Sequence, residues 1–377
     1  MSEIEAKPKP LRWGIIATGN ISIKFAKDLL VDPATRDATD VAHRIGAVGS
    51  RSIEGAKAFI HKLETDPGTS TECQSQLEAC KTYGSYDEVY NDPDVDVIYI
   101  GTPHPMHYAN AKRALEAGKP VLCEKPFTMS LSELDGLIKI AKDKNVFLME
   151  GVWTRFLPIM YRVQEIIHSG KLGKVRRLFA DFSIDFRPDE HPYSWRMIDP
   201  ALGGGSLLDM GPYPAVWATM LLHHHPDNTS KKPPTLVFSH QTIYARSGVD
   251  ANTRWLLEWE DVGQALCVTD MTAHGTHHGC VIVTCEKGDL ILDGSIARPS
   301  TYHIIMRGED GPSADDVKET FEVPVPAGVG MCYEADEVYR CIKRGEIQSD
   351  RMPWEESRMV QGWFDHIRAT SGASGTG

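Results

Sequence analysis

The sequence predicts an α/β protein. An N-terminal Rossmann dinucleotide-binding domain is followed by a C-terminal α+β domain with an open, mostly antiparallel sheet. At 377 residues the chain is too long for one ordinary core, so two domains are expected. Residues 11–150 alternate short apolar runs with helical patterns, and such repeats predict a parallel, doubly wound sheet. After Glu150, long strand-like runs follow one another across short turns, as in an antiparallel sheet. The expected domains are 10–150 and 151–370, with flexible termini at 1–9 and 371–377.

In chain order, LRWGIIA is a strand, and NISIKFAKDLL is a helix with its apolar residues on one face. HRIGAVGS is the second strand and SIEGAKAFIHKL the second helix. SYDEVYND is a short helical turn before the strand DVDVIYIGT. MHYANAKRALEAG is a helix stopped by Gly118, and KPVLCEK is the next strand. SLSELDGLIKIAKDKN is a helix opened by Ser130, with Glu133 at the capping-box spacing. VFLMEG is the last strand of this domain. Beyond it, VRRLFADFSIDF, TLVFSHQTIYA, TRWLLEWE, QALCVTDM, GCVIVTC and GDLILDG are strands. Helical stretches fall around 156–169 and 206–222, and MCYEADEVYRCIKRG and PWEESRMVQGWFDHIRA are helices. Trp255 and Trp259 lie on one face of a strand, in core or dimer packing. A broad sheet face is apolar and must be covered, which predicts a homodimer through the C-terminal sheet.

The net charge of -12 argues against nucleic acid or an anionic membrane as partner. No apolar run is long enough to span a bilayer, and MSEIEAKPKP has no apolar core of a secretory signal. The eight cysteines lie apart with no CxxC pair, which predicts reduced thiols in a cytoplasmic protein. No metal is expected: His223–His225 suit a helix C-terminus, and His274, His277 and His278 lack supporting ligand spacing.

The first strand runs into Gly14-Ile-Ile-Ala-Thr-Gly-Asn-Ile-Ser22. The usual dinucleotide turn is GxGxxG; here Ala17, Gly19 and Ser22 stand at its three positions. The surviving glycine is the one that lets backbone approach a pyrophosphate. Ala17, Thr18, Gly19, Asn20 and Ile21 are therefore cofactor candidates, at a helix N-terminus that offers free N–H groups. The second strand ends Gly49-Ser-Arg-Ser52, with no acid to bind a ribose 2′-OH. Arg51 can pair with a 2′-phosphate and Ser50 and Ser52 can donate to it, which favours NADP. The long link DPATRDATDVAHR predicts that Arg51 lies farther from Gly19 than usual.

Ligands of such sheets bind outside the carboxyl ends of the strands. Two strand ends carry chemistry, Gly101-Thr-Pro-His-Pro-Met-His107 and Glu124-Lys125-Pro126. Thr102, Pro103, His104 and His107 are cofactor candidates, with helix capping as the other reading of His107. A lysine here stays charged, can bond a substrate oxygen, and lowers the pKa of a neighbouring hydroxyl.

ATGNI, TPHPMHYANAKRALEAGKPVLCEKPF, EGVWTRFLP and GGGSLLDMGPYP together resemble the glucose-fructose oxidoreductase / inositol dehydrogenase / rhizopine-catabolism (Gfo/Idh/MocA) family, over roughly residues 10–370. WGIIATGNIS, KDLLVDPATRD and GSRS look most like its fungal NADP-dependent D-xylose 1-dehydrogenase branch, related to dimeric dihydrodiol dehydrogenases. The resemblance implies a catalytic Lys125, a Pro126 that is often cis, and a Glu124 near the nicotinamide. The family's DxGxY/H motif falls on Asp209-Met-Gly-Pro-Tyr213, four residues apart on one helix face. Asp209 would orient substrate and Tyr213 exchange the proton. The implied reaction is oxidation of D-xylose at C1 by NADP+ to a lactone. The alternatives are a dihydrodiol or other aldose oxidoreductase, or a non-catalytic NADP-binding regulator, against which the complete Lys125, Asp209 and Tyr213 set argues. Trp153 and Arg155 would wall the cofactor and sugar site, or pack a domain interface. Trp195 and Arg196 would form the substrate rim, or a structured turn.

Overall fold

A computed structural model describes residues 8–308, 317–325 and 328–371. The chain divides into two compact units. The first is built from residues up to Trp153 and from Pro326–Ser357, the second from Thr154–Val325 and from Arg358 onward. The stretch 326–357, which sequence assigned to the second domain, clusters instead with the first. The termini expected to be flexible lie outside the described residues, apart from Pro8, Lys9 and Ser371. Among the described residues no helix is long and apolar enough to cross a membrane.

In the first unit, β1 (Leu11–Ile16), β2 (His43–Gly49), β3 (Lys81–Tyr83), β4 (Val97–Ile100), β5 (Val121–Glu124) and β6 (Leu148–Gly151) form one parallel sheet. Its order, β3-β2-β1-β4-β5-β6, is doubly wound, with the switch point between β1 and β4. Every residue of β4 and β5 is buried, as expected of strands covered on both faces. The helices between them are α1 (Asn20–Leu29), α2 (Ile53–Glu64), α3 (Thr71–Glu78), α4 (Tyr86–Tyr90), α5 (His107–Glu116) and α6 (Leu131–Lys144). Ser130 caps α6 by accepting from Glu133 N, and Glu133 reaches back to accept from Met129 N.

Buried charge ties the returning segment to this unit. It contains α10 (Cys332–Arg344). Asp336 accepts from Arg36 Nε and Nη2, each at 2.7 Å, and faces His43 Nε2 at 2.9 Å. Trp13 Nε1 donates to His43 Nδ1 at 3.2 Å, so the ring proton belongs on Nε2, where it is donated to Asp336. Asp28 of α1 accepts from Val329, Gly330 and Met331 N–H and so caps α10 from another helix.

The second unit carries an eight-stranded sheet in the order β14-β13-β12-β11-β7-β10-β9-β8. Its strands are β7 (Val175–Ser183), β8 (Thr235–Ile243), β9 (Asp250–Trp259), β10 (Gly263–Asp270), β11 (His278–Cys285), β12 (Gly288–Ser295), β13 (Arg298–Met306) and β14 (Val317–Glu322). All pairs are antiparallel except β7 with β10. Its helices are α7 (Pro158–His168), α8 (Ser206–Met210), α9 (Pro212–Ala218) and the second-unit part of α11 (Trp354–Ser371). Trp255 and Trp259 are core residues, set edge-on to Phe364 and Trp363 of α11.

Candidate active site

The dinucleotide turn has the features of a phosphate cradle. Ala17, in the place of the first glycine, has φ 75, a left-handed conformation that costs an L-residue. Gly19 precedes α1 with no side-chain cap, and no atom lies within 4 Å of where its Cβ would be. The helix therefore presents open N–H groups and room for backbone approach. Ser22 stands where a third glycine would allow close packing. That freedom has moved across to β4: a Cβ on Gly101 would lie 2.4 Å from Ser22 Oγ.

The expectation that Arg51 lies far from this turn is corrected by strand register. Ile16 pairs with Gly49, and Ala17 N–H donates to Gly49 O at 3.1 Å. The long link is taken up by a 3-10 turn, Pro33–Arg36, whose N-terminus Asp32 caps. Ser50 Oγ and Thr18 Oγ1 are 3.4 Å apart. Arg51 is exposed beside them, and Ser52 caps α2 by accepting from Gly55 N. Open amides, an uncrowded glycine and an exposed guanidinium suit a dinucleotide with a 2′-phosphate.

At the end of β5 the Lys125–Pro126 peptide is cis, and Lys125 is half-buried. Glu124 is buried and accepts from Tyr99 O–H at 2.8 Å. Behind it lies Glu334 of α10, fully buried, with no hydrogen-bond partner on either oxygen. Burial first, then the charges of Glu124 and Asp28, holds the Glu334 carboxyl well above its usual pKa. Glu150 accepts from Phe127 N–H and Ser357 O–H, which steadies the loop after Pro126.

His107 requires a correction. It is fully buried, with ring nitrogens 2.8 Å from Thr102 O and from Pro126 O. It ties the two strand-end loops together, which closes its ring to a cofactor. Burial, opposed by the two carbonyls, lowers its pKa below 6.5. His104 is half-buried beside it, Thr102 is buried, Pro103 is exposed, and Trp153 is 8% exposed.

Asp209 and Tyr213 belong to the second unit. Asp209 is the penultimate residue of α8 and Tyr213 lies in α9, and both are buried. The backbone between them stays helical, since Gly211 has φ -56 and ψ -33. The break in the ladder comes from Pro212, which has no N–H. A Cβ on Gly211 would lie 3.0 Å from the Phe364 ring. Arg196 Nη1 donates to Asp209 Oδ1 at 2.8 Å, and Nη2 lies 3.4 Å from Oδ2. The Arg196 side chain is 53% exposed, so one face of this pair is open. Phe182 meets Tyr213 edge-on at 5.0 Å, and His191 stacks on Trp195 at 4.0 Å. Arg155 is only 2% exposed, and its Nη2 lies 3.2 Å from His224 Nε2 within the same unit. Among the described residues no cluster of three or more His, Cys, Asp or Glu side chains is arranged to hold a metal.

Two family models match the chain. Residues 11–152 match the oxidoreductase family with an NAD-binding Rossmann fold, and residues 160–291 match the GFO/IDH/MocA C-terminal domain. The chain belongs to the Gfo/Idh/MocA oxidoreductase family. Within it, the chain is 36% identical over 371 residues to a D-xylose 1-dehydrogenase (NADP(+)) of Hypocrea jecorina, covering 94% of this chain and 90% of that protein. It is 31% identical over 355 residues to a trans-1,2-dihydrobenzene-1,2-diol dehydrogenase of Xenopus tropicalis, covering 94% and 96%. In fold it is similar to a 3-ketoreductase of Actinomadura kijaniata, with TM-score 0.76, 21% identity, and 96% and 98% of the chains covered.

For this Gfo/Idh/MocA member, sequence reasoning did not single out Tyr99, Phe182, His191 or Glu334. Phe182 and Tyr99 lie in recognisable strands, but nothing in their spacing marks a neighbour of Tyr213 or Glu124. Glu334 is charged by type and sits in a helix with strong polar character, which reads as a solvated face.

Proposed function

We propose that the chain is an NADP-dependent aldose dehydrogenase that oxidises D-xylose at C1 to its lactone. The observation that carries this reading is the 36% identity to the Hypocrea jecorina enzyme over nearly the whole chain. The complete Lys125, Asp209 and Tyr213 set supports it. Ala17–Ile21 would hold the pyrophosphate, Arg51 and Ser50 the 2′-phosphate, and Thr102, Pro103, His104, Glu124 and Trp153 the nicotinamide end. Bound NADP+ supplies the hydride acceptor. Asp209, held by Arg196, orients the sugar by accepting from a hydroxyl. Tyr213 takes the C1 hydroxyl proton. A phenol has a reference pKa of ~10, so the positive charges of Lys125 and Arg196 are needed to make it a base near neutrality. Water can then open the lactone.

A second reading, oxidation of a trans-dihydrodiol, is favoured by the aromatic ring of Phe182 beside Tyr213 and by the 31% identity to the Xenopus tropicalis protein. Both readings use the same residues, so a substrate panel separates them. Homodimerisation is part of the proposal. The sheet face opposite the core presents Phe179, Leu256, Leu266, Ile282 and Ile291, each half-buried, and Phe238, which is 48% exposed. An apolar face of this kind is covered by a second copy. Light scattering should give twice the monomer mass, and a monomer at micromolar concentration would remove the dimer.

The mechanism is tested by Lys125→Ala and Tyr213→Phe. Each should lower kcat by at least ~100-fold while NADP Kd changes by less than about threefold. A normal rate in either variant removes that residue from the chemistry.

A further inference from the structure

We infer that Asp250 is a positioning residue, which sets the Asp209–Tyr213 helix by fixing where that helix begins. The inference rests on the roles proposed above for Asp209 and Tyr213. Asp250 is the first residue of β9, and it is buried. Its Oδ2 accepts from Ser206 O–H, Leu207 N–H and Thr253 O–H, each at 2.7 Å. Ser206 and Leu207 are the first two residues of α8, which has no cap of its own from Gly205. Asp250 therefore supplies, from a strand, the acceptor that the helix start lacks. An ionised carboxylate only accepts, so three donors can converge on it without conflict.

The glycine run before the helix is explained by the same anchor. Gly205 has φ 114, and a Cβ there would lie 2.1 Å from Asp250 Oδ1. Only glycine lets the carboxylate come that close. A Cβ on Gly204 would lie 2.8 Å from Met197 O and 2.9 Å from Asp199 O. Gly205 N–H donates to Met197 O at 2.8 Å, and Gly204 N–H to Asp199 O at 3.0 Å. The turn that follows Arg196 is thus bonded to the residues that precede Asp209. One buried carboxylate fixes the register in which Arg196 meets Asp209 and in which Tyr213 is presented. A slip of one residue would turn the helix by roughly 100° and separate the pair.

The test uses the full chain carrying Asp250→Ala, Asp250→Asn or Thr253→Val. Three quantities are measured: kcat and KM for D-xylose, NADP Kd by fluorescence, and the titration of Tyr213. The last is the tyrosinate absorbance difference between each protein and the same protein carrying Tyr213→Phe. Asp250→Ala should lower kcat at least about tenfold, leave NADP Kd within about twofold, and move the Tyr213 titration. Asp250→Asn keeps an oxygen that can accept, so it should recover most of kcat. Thr253→Val should shift both readouts in the same direction by less. Asp250→Ala decides, or Thr253→Val if Asp250→Ala does not fold: a lowered kcat with a moved Tyr213 titration and unchanged NADP Kd supports the inference, and wild-type kcat with an unmoved Tyr213 titration overturns it. Full kcat in Tyr213→Phe alone would instead overturn the base assignment, and the titration shift would still report on the anchor.

Discussion

Asp336→Ala should strongly destabilise the first unit. Asp336 makes two 2.7 Å bonds to Arg36 and one of 2.9 Å to His43, and the Arg36 side chain is 0% exposed. Removing the carboxylate leaves a buried guanidinium and a buried imidazole N–H without their acceptor. Breaking one side of a buried pair costs about 3–5 kcal/mol. For a unit of this size, each kcal/mol lowers Tm by roughly 2–4 °C, so a fall of about 6–20 °C is expected. The assay is a thermal melt followed by circular dichroism and by tryptophan emission, since Trp13 donates to His43 and reports locally. The double variant Arg36→Leu/Asp336→Leu should recover much of the loss, because it removes both charges together. The pH dependence has a defined sign. Burial raises the Asp336 pKa, but Arg36 and His43 outweigh it and the pKa ends below 3.8, so this contribution is full above that value and lost as pH falls through the folded one. Burial holds the His43 pKa below 6.5, so stability also declines as pH falls below 6.5, where the unfolded chain takes up a proton that the folded ring refuses. A Tm change under about 2 °C for Asp336→Ala would refute this account of how residues 326–357 are held.

Ala17→Gly should stabilise the protein by about 0.5–1 kcal/mol, because relief of the left-handed strain exceeds the added freedom of the unfolded chain; chemical denaturation measures it. Arg51→Ala should weaken NADP at least about tenfold while changing NAD by less than about twofold; equal losses would show that Arg51 does not read the 2′-phosphate. Glu334→Gln should leave stability at pH 5 within about 1 kcal/mol of wild type, because burial favours the neutral form of the acid, which the amide resembles. A carboxyl whose folded pKa is raised loses its stabilising contribution as pH rises above the unfolded value, so the variant should also decline less between pH 5 and 8 in urea titrations.

The parallel sheet was legible because its strands are continuous apolar runs and its helices have caps such as Ser130 with Glu133. β3 escaped notice because it has three residues, and α3 because Leu77 is its one buried residue. β13 carries Pro299, which weakens a strand pattern, yet pairs along its length with β12. The return of residues 326–357 to the first unit rests on Arg36–Asp336 and Asp28–Met331 bonds spanning about three hundred positions, which no local pattern reveals. Gly19, Lys125, Asp209 and Tyr213 could be named from sequence because a motif carries each of them. His107 was misread because a polar residue at a strand end suggests a ligand contact, and only the fold shows carbonyls on both ring nitrogens. Asp250 was invisible because its partners at the start of α8, Ser206 and Leu207, lie more than forty residues earlier in the chain.

The most direct test of the central claim is absorbance at the reduced-nicotinamide band, with purified protein, NADP+ or NAD+, and separate sugars and dihydrodiols. The account predicts reduction with D-xylose and NADP+, and little with NAD+. Silence on every sugar while NADP remains bound would contradict it.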